Sequence, residues 1–241
     1  MHSWGSMHGV CVCAVILLLQ GALAGESESL DSGAPHVNQV LCWSPKYPVA
    51  VLCAWSLQPE PLQPTSVTAT YRLGLSGKKM TCKVGPGPLP GPLPITAPGP
   101  LAGLLSGWCE IEHLELFVLQ TYIVSVSVEN HTGQYSFILE HIVKPDPPLK
   151  VVVTPGSRRQ LSVKWAPPPS WPDPTLFPLK YRVQYTQEGH APRTLGPYER
   201  CEVVLRGLRP RSSYSIRVSA QDFLDNGHPS DWSLPISAHT T

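Results

Sequence analysis

A chain of 241 residues has room for one or two domains, and a formal net charge of +1 with no basic run in the sequence argues against nucleic-acid binding. Seven cysteines without a Cys-x-x-Cys or paired-histidine spacing point to disulfides in an oxidising compartment, not to zinc. The nine histidines are scattered and none forms a His-x-x-x-His pair, so no enzyme, cofactor or metal site is expected.

The chain opens with an apolar run, Val10 to Leu19, followed by Ala22-Leu23-Ala24 before Gly25. This is the pattern of a cleaved signal peptide over residues 1–24, although its first residues carry no Lys or Arg. No later stretch supplies the ~20 apolar residues of a membrane span, so a secreted, extracellular protein is expected. Asn130-His131-Thr132 is a glycosylation acceptor in agreement with that location. Once Cys11 and Cys13 leave with the signal, Cys42, Cys53, Cys82, Cys109 and Cys201 remain, of which four should pair.

Residues 25–143 read as a β-sandwich. Val51, Cys53 and Trp55 alternate with Leu52 and Ala54 as in a strand with one buried face, and Cys42 is placed to lie on a neighbouring strand. Val67, Ala69, Tyr71 and Leu73 alternate again, and Tyr122, Val124, Val126 and Val128 do so most cleanly. Phe137 to Val143 is expected as a last strand. Between them, about residues 83–108, prolines interleave with glycines too densely for a sheet ladder, which predicts a protruding loop. A Cys82–Cys109 bond would clamp its base and leave the sandwich undisturbed.

Three prolines in Pro145-Asp146-Pro147-Pro148 make residues 144–148 a stiff, non-helical connector. Beyond it, residues 149–241 give alternating strands at Leu161, Val163 and Trp165, at Tyr181, Val183 and Tyr185, at Val203 and Leu205, and at Ile216, Val218 and Ala220. Ser215, Arg217 and Ser219 are expected to face outward, and Tyr214 to bond its hydroxyl to upstream backbone. Cys201, in phase with Val203 and Leu205, is expected to be a buried, inert thiol. Trp232, in Ser230-Asp231-Trp232-Ser233, is expected on the outer sheet face, its indole sandwiched between the guanidinium groups of Arg182 and Arg217.

Cys42 and Cys53 ahead of Trp55, the Pro145–Pro148 joint and Ser230-Asp231-Trp232-Ser233 together resemble the cytokine-binding module of the class I cytokine receptor family, over Val37 to about Ala238. The resemblance implies an all-β fold of two tandem fibronectin type III β-sandwiches joined at a proline-rich elbow, with two disulfides in the first. It also implies a soluble chain that holds a four-helix-bundle cytokine subunit as a heterodimer, which acts on gp130-type signalling receptors in immune (T-cell) responses. Two features depart from the family: Pro229 stands where the box has its first tryptophan, and the Pro/Gly segment is long.

In that family the cytokine docks on loops at the elbow. By position these are Leu114 to Phe117, Ser170 to Phe177 and Gln221 to Gly227, all unusually apolar for turns. Phe117 is the expected main anchor beside Leu116, with Thr175, Leu176 and Phe223 lining the pocket and Asp225 as a charged partner. Asp225 before Asn226-Gly227 also suits a plain turn, and Trp171 between prolines also suits bracing of the joint. Two other functions fit the same residues. One is a soluble alpha receptor or decoy. The other is an adhesion or matrix protein, which the lack of Arg-Gly-Asp and of a longer repeat array disfavours.

Overall fold

A computed structural model describes residues 33–61, 65–85, 89, 105–116, 118–157 and 159–241. The expected signal peptide, most of the Pro/Gly segment and Phe117 lie outside the described residues. Up to the linker the strands are β1 (His36–Lys46), β2 (Ala50–Gln58), β3 (Val67–Leu73), β4 (Met80–Thr81), β5 (Lys83–Val84), β6 (Gly107–Ile111), β7 (Tyr122–Val128) and β8 (His131–Phe137). They form two sheets, in the orders β1-β2-β6-β5 and β4-β3-β7-β8. On β7 every second residue from Tyr122 to Val128 is buried, the period-2 burial its sequence predicts.

β2 departs from expectation, because both of its faces are buried. Val51, Cys53 and Trp55 enter the main core, while Leu52 and Ala54 join Trp43 in a second apolar cluster. That cluster is covered by Leu41, Leu89, Leu105 and Trp108. The described ends of the Pro/Gly segment therefore fold back over the sheet instead of protruding, because the apolar outer face of β2 gains by being shielded from water. The segment is also shorter than expected, since Lys83 and Val84 pair with β6 and Gly107 and Trp108 belong to it.

The disulfides are Cys42–Cys53 and Cys82–Cys109. Cys53 lies opposite Cys42 on one side and Cys109 on the other, so both bonds sit at one level of the core with all four cysteines buried. Cys82 is where the chain leaves β4 in one sheet for β5 in the other, and its amide donates to Ala69 O at 2.9 Å. Its bond thus pins a sheet crossover inside the sandwich as well as a loop base. Phe137 to Val143 is not a strand: β8 ends at Phe137, and Leu139–Ile142 is a single 3-10 turn. Residues three apart share a face in that turn, which puts both Leu139 and Ile142 inward.

After the linker come β9 (Leu149–Pro155), β10 (Leu161–Ala166), β11 (Leu179–Gln187), β12 (Arg193–Tyr198), β13 (Glu202–Leu205), β14 (Ser213–Asp222) and β15 (Ile236–His239). Their two sheets run β13-β10-β9 and β12-β11-β14-β15. Leu161, Val163, Trp165, Tyr181, Val183, Leu205, Ile216, Val218 and Ala220 are buried as their alternation predicts, while Tyr185 and Val203 are only half-buried. Cys201 is half-buried and free, so it is less enclosed than its phase suggested, because it precedes β13 instead of lying within it. Tyr214 accepts the Arg209 amide at 2.9 Å, as expected, and Tyr122 accepts the Glu115 amide at 2.7 Å, a second such corner that the sequence reading missed.

Candidate functional site: the loops that meet the linker

The linker is held from both sides. Val143 is fully buried and forms a bridge to Ser44, and the Lys144 amide donates to Ser44 O at 2.9 Å. From the other side, the His228 amide donates to Val143 O at 2.8 Å. Gly227, at φ +62°, makes this approach possible, because a Cβ there would lie 2.0 Å from Val143 O. Lys144 Nζ pairs with Asp231 Oδ1 at 3.1 Å, and Ser170 Oγ donates to Asp146 Oδ2 at 2.5 Å.

The loop from Ser170 to Phe177 is anchored by rings. Trp171 is buried and its Nε1 donates to Phe177 O at 2.7 Å. Tyr47, in the β1–β2 turn, stacks on Trp171 at 6.4 Å and meets Phe177 edge-on at 5.4 Å. Trp171 therefore ties this loop to the β1–β2 turn. Asp173 Oδ1 accepts the amides of Thr175 and Leu176 at 2.9 and 3.0 Å, a local side-chain turn that raises those two residues into solvent. Leu176 is 73% exposed, costly for a leucine unless something covers it.

The neighbouring loop after β14 is built the same way. The carboxylate of buried Asp222 accepts the amides of Leu224 and Asn226 at 3.0 and 3.1 Å. Phe223 is 39% exposed and Leu224 72% exposed, and the Phe223 amide donates to Pro178 O at 3.0 Å, which joins this loop to the previous one. Asp225, at φ +65°, has partners within the chain: its carboxylate reaches Lys180 Nζ at 2.6 Å and accepts from Gln221 Nε2 at 2.9 Å. Both the turn and the charge anticipated for Asp225 are thus engaged at home.

Of the six residues expected to bind a partner, Thr175, Leu176, Phe223 and Asp225 come together on these two adjoining loops. Leu116 is half-buried against the main core, and Phe117 lies outside the described residues. Asp173 and Asp222, which shape the loops, went unnoticed in sequence. An Asp two residues before an amide it can accept is the signal that would have found them.

Ser230 and Ser233 edge β14. Their amides donate to Ala220 O and Val218 O, and their hydroxyls accept the Ala220 and Val218 amides at 2.8 and 3.0 Å. Each serine thus replaces a ladder partner on both sides of the hydrogen bond. Ser219, expected outward, is buried beneath this segment and donates to Ser230 O at 3.0 Å. Arg217 lies 5.2 Å from the Trp232 ring centre. Arg182 is exposed and, among the described residues, makes no such contact, so the expected sandwich is a single stack. With Pro229 in place of an aromatic ring, the row of alternating rings and cations has no further layer to recruit Arg182. Asn130 sits exposed in the tight β7–β8 turn, accessible for modification.

Comparison with known proteins gives concordant results. The family model of the fibronectin type III domain matches residues 146–237. Human interleukin-27 subunit beta is 40% identical over 207 residues, covering 83% of this chain and 84% of that protein. The mouse interleukin-27 subunit beta is 39% identical over 204 residues, 82% of each chain. The dog ciliary neurotrophic factor receptor subunit alpha is 32% identical over 225 residues, which cover 88% of this chain but 53% of the receptor.

Proposed function

Because the chain belongs to the class I cytokine receptor family, as a relative of interleukin-27 subunit beta, we propose that it is a secreted receptor-like subunit that clasps a four-helix-bundle cytokine subunit at its linker loops. The partner is of the interleukin-27 alpha or interleukin-12 alpha kind, and the heterodimer acts through gp130-type receptors on T-cell responses. The observation that carries this reading is the cluster of solvent-facing Leu176, Phe223 and Leu224 on two loops tied to each other and to the linker. Bulky apolar groups held rigidly in water are the anchors around which an interface concentrates its energy.

The N-terminal sheet pair is a second module of the same kind. Its orders β6-β2-β1 and β4-β3-β7-β8 parallel β13-β10-β9 and β12-β11-β14-β15, and Tyr122 and Tyr214 make matching corners. Phe117 then completes the anchor set from the N-terminal module. The test is calorimetric titration of the intact chain with the helical subunit. Leu176→Ala and Phe223→Ala together, and Phe117→Ala alone, should each weaken binding about tenfold or more without lowering the melting temperature. Unchanged affinity in both variants removes the loops from the site. The matches to receptor alpha subunits keep a soluble alpha receptor as the second reading. A heterodimer subunit should be secreted better when its partner is co-expressed, whereas a soluble receptor should not depend on it.

A further inference from the structure

Nine of the ten arginines follow Pro148. The fold gathers four of them around one open cleft of about 530 Å³ that the function above does not use. Arg159 comes from the β9–β10 turn, His190 from the β11–β12 connection, Arg193 from the start of β12, and Arg206 and Arg209 from the β13–β14 connection. All four arginines are exposed. Among the described residues, none of them makes an ion pair with a carboxylate. Like charges collected in one place without counter-charges raise the local positive potential, which an anion among them would relieve.

The cleft is preorganised. Arg159 Nε donates to Leu208 O at 2.8 Å, and Arg209 Nη1 lies 3.0 Å from His190 Nε2. Each bond uses one of the five N–H donors of its guanidinium and leaves the rest of the fork for a ligand. Tyr185, Tyr214 and Leu208 give the cleft an apolar floor. It lies at the far end of β14 from the linker: Ser213 begins that strand beside the cleft and Asp222 ends it at the partner loops, about 30 Å away at ~3.3 Å per residue.

We propose that this cleft binds a sulfated glycosaminoglycan chain. Sulfate esters stay ionised at all physiological pH values and offer acceptor oxygens that guanidinium forks match. A stiff saccharide carries several such anions at fixed spacing, so it engages arginines from three separate segments without the ordering cost of a flexible acidic peptide. The apolar floor receives the sugar ring. Because the cleft is remote from Leu176 and Phe223, glycan binding and cytokine binding are compatible, and neither depends on the other.

The test is surface plasmon resonance of the intact chain on an immobilised heparin octasaccharide. Arg193→Ala with Arg206→Ala removes two guanidinium groups that make no internal hydrogen bond among the described residues, and should weaken binding about tenfold. Lys78→Ala with Lys79→Ala removes the same charge from an exposed turn elsewhere and should change affinity less than about twofold. Equal losses in the two double variants, or no loss in the first, overturn the cleft. A desulfated octasaccharide or a polyglutamate peptide that binds as well as heparin overturns the sulfated ligand.

Discussion

Gly227 and Val143 are in backbone contact: a Cβ on the glycine would stand 2.0 Å from the valine carbonyl oxygen, while the next amide, His228, donates to that same oxygen at 2.8 Å. The loop after β14 is thereby set directly on the residue that enters the linker. Gly227→Ala meets both the backbone collision and a φ of +62°. It should destabilise the chain by about 3 kcal/mol, read as a fall in the denaturation midpoint. A variant as stable as the parent would mean that the loop does not rest on the linker.

Lys144 and Asp231 form a second tie between the linker and the serine-tryptophan segment, with side chains only 6% and 17% exposed. Removing Lys144 takes away a counter-charge at a mostly buried carboxylate, so Lys144→Ala should lower stability by roughly 1–3 kcal/mol. Lys144→Met with Asp231→Leu removes both charges and should recover most of that loss. Urea titration of the parent and the two variants measures it, and a double variant no more stable than Lys144→Ala would show that the two groups do not stabilise one another.

Ser230→Ala and Ser233→Ala each deprive a buried β14 amide of its acceptor and should cost about 1–3 kcal/mol. Ser230→Ala should be the worse, since the Ser230 hydroxyl also lies 3.3 Å from that of Ser219. Arg217→Ala should cost about 1 kcal/mol through loss of the contact with Trp232, and Arg182→Ala less than about 0.5 kcal/mol. Equal effects of the two arginines on thermal stability would restore the symmetric sandwich.

Tyr47 sets an alkaline limit. Burial first, then the Glu140 and Asp222 carboxylates, pushes its hydroxyl from 10.0 up to about 12. Between those values the unfolded chain has released the proton and the folded chain retains it. The stability that Tyr47 contributes is therefore whole below pH 10 and is lost as pH rises towards 12. The hydroxyl has no hydrogen-bond partner among the described residues, so Tyr47→Phe should be neutral or slightly stabilising at pH 7. The same variant should lose stability less steeply above pH 10. Tyr71, Tyr122 and Tyr181 are also raised, so the limb is flattened without disappearing. Denaturant midpoints from pH 9 to 12 measure the difference.

Much was legible in the linear order of residues. Period-2 alternation marked the inner faces of β7, β10, β11 and β14, because a pleated strand buries every second side chain whatever lies beyond it. Four cysteines, a proline-dense joint and Ser230-Asp231-Trp232-Ser233 were enough to indicate the family. Tertiary structure alone decided what depends on a covering neighbour. Leu52 is buried because Trp43, Leu105 and Trp108 reach over it, and Ser219 because Ser230 lies across it. Arg159, Arg193 and Arg209 became one basic cleft although 50 residues separate the first from the last. Local pattern reports which face of an element prefers to be dry. Only the folded chain brings together charges and covers from distant segments, since their proximity is set by the packing of whole sheets and not by spacing along the backbone.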